Sequence, residues 1–131
     1  MSRVLVIDAS IVVDLLARFD PAPLEQLLFA AGAVLVAPQL LDIEVLQVLR
    51  RLDQSGAIPS SRTDVLASFK TLRIRRYPHE PLLEVIWQLR PNLTAYDAAY
   101  VALARALGAE LVTRDRRLAG APKLGINVLT P

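Results

Sequence analysis

Apolar residues recur along this chain in two rhythms. Short unbroken runs rich in Val, Leu and Ile occur at residues 3–7 (RVLVI), 33–37 (AVLVA), 110–113 (ELVT) and 126–129 (INVL). Each is bounded by turn residues, the pattern of strands buried on both faces of a parallel sheet. Residues 73–77 (RIRRY) match less well and read as an edge strand. Between the runs, apolar residues return with helical period at residues 10–18, 24–31, 39–54, 60–72, 81–89 and 95–107, with Gly32, Gly56 and Gly108 as stops. This alternation predicts an α/β fold, a three-layer α/β/α sandwich around a mainly parallel sheet. No repeat or low-complexity tract interrupts it, and Pro21 with Pro23 reads as a turn, so one domain over residues 1–131 is expected.

Four carboxylates, Asp8, Glu44, Asp97 and Asp115, stand where a strand should end or a helix begin, and all but Glu44 interrupt or extend apolar runs. Asp8 and Asp115 each follow a candidate strand, and parallel sheets place ligand sites beyond the carboxyl ends of their strands. Taken alone, Asp8 reads first as a helix N-cap and Asp115 as a solvated loop acid among Arg114, Arg116 and Arg117. Asp97 stands three residues after Thr94, a capping-box spacing, yet shares a stripe with Val101 and Ala104, which should face the sheet. Glu44 flanks the apolar stripe of Leu41, Val45, Val48, Leu49 and Leu52. Inward acids cost desolvation energy unless a cation compensates them, and one divalent ion would compensate all four. Hard cations such as Mg²⁺ or Mn²⁺ prefer such oxygen ligands.

Composition narrows the field further. A 53% hydrophobic content suffices for a core and leaves apolar surface for a partner, while no cysteine is present for disulfides, thiolate zinc sites or a thiol nucleophile. The run LLFAAGAVLVA is too short to span a bilayer, and Asp8 precedes any signal-peptide core, so a soluble, unprocessed cytoplasmic protein is expected. A net charge of +2 does not by itself imply nucleic acid. The single histidine, His79, reads as a surface loop residue, which argues against zinc chemistry.

The segments VIDASIVVDLL, AP(x)₅E from Ala37 to Glu44, and LTAYDAAYVALARALGAELVTRDRRL, with the closing strand, resemble a PIN domain of the VapC toxin type across essentially the whole chain. The resemblance implies a metal-dependent endoribonuclease, the toxin of a type II toxin-antitoxin pair, hydrolysing RNA with a metal-activated water and leaving 5′-phosphate and 3′-hydroxyl ends. It assigns the acidic quartet to Asp8, Glu44, Asp97 and Asp115, and matches Ser10 and Thr113 to hydroxyls that support the carboxylates. Some relatives carry a further acid just after the last of the four. Here Arg116 and Arg117 follow, which puts a complete second metal site in doubt.

RNA must reach an acidic pocket, so Arg114, Arg116 and Arg117 are the expected phosphate contacts, with Tyr96 stacking on a base and Tyr100 packing in the core. Arg73, Arg75 and Arg76, and Arg50 with Arg51, form further clusters that read first as solvated surface. Asp14 fits an i,i+4 pair with Arg18. Leu40, Ile43 and Leu46 make the third helix apolar beyond its inward stripe, which predicts a homodimer, and the resemblance adds a cognate antitoxin. Two other readings remain: a catalytically silent PIN-like binding module, and an aspartate-based phosphoryl-transfer domain.

Overall fold

The computed structural model describes residues 2–17, 22–58 and 64–131. Five strands form one sheet: β1 (Arg3–Ile7), β2 (Ala33–Pro38), β3 (Ile74–Tyr77), β4 (Glu110–Val112) and β5 (Val128–Leu129). Their order is β3-β2-β1-β4-β5 and every ladder is parallel, with Leu5 opposite both Leu35 and Glu110. The helices are α1 (Ala9–Ala17), α2 (Ala22–Leu28), α3 (Leu40–Gln54), α4 (Val65–Thr71), α5 (Leu83–Gln88), α6 (Ala95–Leu107) and α7 (Arg116–Ala119). Helix α1 packs with α3 and α4, whereas α6 packs on α5 and against β1, β2 and β4. The expected α/β sandwich with a parallel sheet is the fold.

Because β2 and β3 extend the sheet to one side of β1 and β4 with β5 to the other, the chain reverses its direction of winding between β1 and β4. Connections from these two strands diverge to opposite sides, and that divergence opens a crevice at their carboxyl ends. Leu5, Val6, Ile7, Val36, Ala37, Leu111 and Val112 fill the sheet interior at 1% exposure or less. Helix α6 seals it over an uninterrupted buried stretch, Ala98 to Ala104. Its alanines let backbone approach backbone, so the helix is buried on all sides rather than along one stripe. It ends where Gly108 adopts a left-handed φ of 60°, which a side chain would resist.

Four local details differ from the sequence pattern. Residues 81–89 divide into a 3₁₀ turn (Glu80–Leu82), which the Leu82 amide closes on the His79 carbonyl at 2.8 Å, and α5. The last strand shortens to Val128–Leu129, because Arg105 holds the segment before it: Nε donates to the Leu124 carbonyl at 2.5 Å and Nη2 to that of Lys123 at 2.7 Å. Helix α7 is new. His79, expected at the surface, is half-buried, and its Nε2 accepts from the Leu40 amide at 2.8 Å, capping α3. Residues 60–63 of the expected fourth helix, and Arg18 as the expected partner of Asp14, lie outside the described residues.

Candidate metal-dependent nuclease site

Three of the four acids stand at helix N-termini. Asp8 ends β1 and precedes α1, and its Oδ1 accepts from the Ile11 amide at 3.3 Å. Thr94 caps α6, accepting from the Asp97 amide at 3.2 Å, so Asp97 lies in the first turn. Asp115 caps α7, accepting from the amides of Arg117 at 2.9 Å and Leu118 at 3.3 Å. Capping and site-building are therefore not alternatives for Asp8 and Asp115: free amides at a helix start favour a carboxylate and fix its direction. Glu44 stands one turn inside α3 and is held otherwise. The hydroxyl of Tyr100, 2% exposed on α6, donates to Glu44 Oε1 at 2.5 Å.

Ser10 and Thr113 tie these pieces together. Ser10 Oγ donates to Asp8 Oδ1 at 2.5 Å and accepts from the Arg114 amide at 3.0 Å. Thr113 Oγ1 donates to Asp8 Oδ2 and accepts from the Asp115 amide at 3.0 Å. Among the described residues Thr113 is the only fully buried polar side chain, at 0% exposure. One threonine thus bridges the carboxylate after β1 to the backbone of the one after β4, across the crevice where the sheet changes its winding.

The electrostatics follow from this geometry. Burial raises the Asp8 carboxyl above the ordinary aspartate range, against the opposing effect of the Ser10 and Thr113 hydroxyls. Glu44 is raised by burial and by the charges of Asp8 and Asp97, although the Tyr100 hydroxyl pulls it down. Asp97 is raised by burial and by Asp115, with Arg117 opposing. Asp115 alone is lowered: its burial raises it, but the Arg117 guanidinium and the α7 amides together outweigh that. Each acid feels another, so repulsion runs from Asp8 through Glu44 and Asp97 to Asp115. A divalent cation would remove it, and an all-oxygen donor set suits a hard ion. As they stand, no three His, Asp or Glu side chains among the described residues are grouped tightly enough to ligate one ion directly. The donor chemistry therefore fits a cation held partly through water or after side-chain rotation.

Two small cavities border the acids. One of about 180 Å³ is lined by Thr94, Asp97, Asp115 and Arg117, and one of about 290 Å³ by Glu44, Leu40, Val48 and Tyr96. A larger cleft of about 760 Å³, lined by Phe29, Val34 and Arg73, lies at the opposite, amino ends of β2 and β3 and holds no carboxylate. Of the expected RNA contacts, Tyr96 is 61% exposed beside Asp97. Arg116 and Arg117 are exposed on α7, and Arg117 pairs with Asp115 at 3.4 Å. Arg114 is engaged elsewhere, with Nε on Asp14 at 2.8 Å and Nη1 on the Pro131 backbone oxygen. Arg76 grips Asp42 at 2.8 Å and stacks on Phe69, and Arg75 stacks on Tyr77.

Comparison with known proteins agrees with this fold. The PIN domain family matches residues 5–124. Ribonuclease VapC1 of Mycobacterium tuberculosis is 45% identical over 121 residues, 91% of each chain. The chain belongs to the VapC family of PIN domains. Ribonuclease VapC9 of the same organism is 44% identical over 117 residues, 87% of each chain. Among solved structures, this VapC-type domain is similar to PAE2754 from Pyrobaculum aerophilum (TM-score 0.70, 23% identity, 98% of this chain and 92% of that one). It is equally similar to VapBC2 from Rickettsia felis bound to a promoter DNA fragment (TM-score 0.70, 14% identity, 96% and 97%). Membership in this VapC family displaces the phosphoryl-transfer reading. Two features of the candidate site escaped sequence reasoning. The Tyr100–Glu44 bond joins α6 to α3, where Tyr100 read only as core. Helix α7 had a signal in the Asp115 cap position with Gly120 four residues beyond its start.

Proposed function

We propose that the chain is a metal-dependent endoribonuclease, the toxin of a type II toxin-antitoxin pair, acting as one PIN domain in the cytoplasm. Its support is the family's VapC ribonucleases together with one observation: a chain of mutually repelling, partly buried carboxylates at the crevice between β1 and β4. Asp8 and Asp97 are assigned as the principal ligands of Mg²⁺, with Mn²⁺ able to substitute. Asp115 acts directly or through water, and Glu44 orients water. When bound, the ion supplies a water of lowered pKa and neutralises charge on the phosphoryl oxygens. The chain's own residues do the rest. Ser10 and Thr113 hold Asp8 by both oxygens, Tyr100 fixes Glu44, and Arg116 and Arg117 offer phosphate contacts at the mouth.

Partners follow from surface chemistry. Leu46 of α3 and Leu83 and Trp87 of α5 are 42%, 55% and 67% exposed, which supports an apolar homodimer contact. An antitoxin is expected from the family, with a basic segment complementary to the acids. No helix among the described residues is long and apolar enough to cross a membrane. The test is incubation of the purified chain with mixed cellular RNA and Mg²⁺ or Mn²⁺, with and without chelator, alongside Asp8→Asn and Asp97→Asn. Cleavage that needs metal and both aspartates is expected. Chelator-resistant cleavage, or full activity in both variants, overturns the mechanism, and failure to cut any RNA overturns the activity.

A further inference from the structure

We propose that the cavity beside Glu44 is a subsite for one unpaired nucleobase next to the scissile phosphate, which deepens the ribonuclease reading and rests on it. The cavity, about 290 Å³, is lined by Leu40, Ile43, Gln47, Val48 and Arg51 of α3 and by Tyr96, with Glu44 in its wall. It adjoins the acids through Glu44 in its wall, and two more of its lining residues, Ala9 and Tyr96, are chain neighbours of Asp8 and Asp97.

Its chemistry matches a nucleotide from end to end. Leu40, Ile43 and Val48 give an apolar floor, and the Tyr96 ring, 61% exposed, offers a free face on which a base can stack. Gln47 and Arg51 follow Glu44 along α3 by about 4.5 and 10 Å at 1.5 Å rise per residue. Both side chains are exposed, and among the described residues no hydrogen bond or ion pair engages either. A glutamine amide carries both a donor and an acceptor for a base edge, and an arginine suits the next phosphate. An occupant must therefore lie against a carboxylate at one end and a guanidinium at the other. A nucleotide does so with a neutral base toward Glu44 and its phosphate toward Arg51, whereas an acidic or basic peptide would meet one of them with like charge.

The test uses the full chain in chelator, which withholds the metal that cutting needs, with a labelled single-stranded oligoribonucleotide of mixed sequence, read by fluorescence anisotropy. Tyr96→Ala and Gln47→Ala replace exposed side chains, and thermal melts establish that both fold. Each is expected to weaken binding, Tyr96→Ala by about tenfold. On cleavable RNA, each should raise KM more than it lowers kcat, and Gln47→Ala should flatten the base preference at one position beside the cut. Unchanged binding in both variants, or no binding by the parent chain, overturns the subsite. So does a change in sedimenting mass without a change in binding, which would make this face a contact between copies. Parent cleavage with unaltered preference in both variants refutes the subsite alone, while a parent that cuts nothing refutes the ribonuclease reading.

Discussion

Replacing Tyr100 by Phe removes one oxygen and keeps the ring that fills the core. The oxygen lost is the donor to Glu44 Oε1, at 2.5 Å and on a side chain 2% exposed. A hydrogen bond to a charged group contributes about 1.5–3 kcal/mol when its partner is left dry. Glu44 is only half-buried and water reaches it after the change, so the cost is set lower, at about 1–2 kcal/mol. For a chain of this size that is a fall in Tm of roughly 3–7 °C. Its pH dependence identifies the cause. Burial, Asp8 and Asp97 already raise the Glu44 carboxyl and the Tyr100 hydroxyl opposes them, so its loss moves Glu44 further up. An acid whose folded pKa exceeds its unfolded one costs nothing below the unfolded pKa, and the protein loses stability as pH rises from there through the folded value. The deficit of Tyr100→Phe should therefore be small near the ordinary glutamate pKa and largest on the alkaline side of the raised one. Thermal unfolding in chelator, followed by circular dichroism across that range for parent and variant, measures it. A deficit of equal size at every pH, or none at all, would refute the assigned bond.

The same sign applies to Asp8, raised chiefly by burial. Asp8→Asn should flatten the decline of metal-free stability above the ordinary aspartate pKa while abolishing cleavage, and a variant with the parent's pH profile contradicts this. His79→Ala removes the acceptor for the Leu40 amide and should cost about 1 kcal/mol, read as a Tm lower by about 3–4 °C; an unchanged Tm rejects the cap. Arg116→Ala with Arg117→Ala should reduce the slope of log affinity for RNA against log salt by about 1–2, and an unaltered slope means neither touches phosphate.

Local pattern carried the fold well because buried parallel strands are written as continuous apolar runs. Residues 3–7 could be nothing else, and the edge position of β3 followed from its arginines. Three of the four acids announced themselves by standing where a strand ends or a helix begins. Contacts that join distant segments were illegible. Nothing near Tyr100 marks Glu44, 56 residues away, as its acceptor, nor does anything near His79 mark Leu40, 39 residues away. Arg114 looked like a phosphate contact from its neighbours, yet its guanidinium turns to Asp14 on α1. A charge run records which side chains are polar, but the packing of other elements decides which of them remain available.

The threonine bridge between the two ends of the site has a consequence for synthesis of the chain. Asp8 emerges first, but the groups that complete its surroundings come from Glu44, Asp97, Thr113 and Asp115, the last more than a hundred residues later. A nascent or truncated chain ending before β4 lacks the Thr113 hydroxyl on Asp8 and the fourth carboxylate altogether. It also lacks the strand that forms one wall of the crevice. Co-translational folding can thus build most of the α/β core before a competent nuclease exists. A cell translating this message next to its own RNA meets the hazard only after the segment carrying Thr113 and Asp115 has been made.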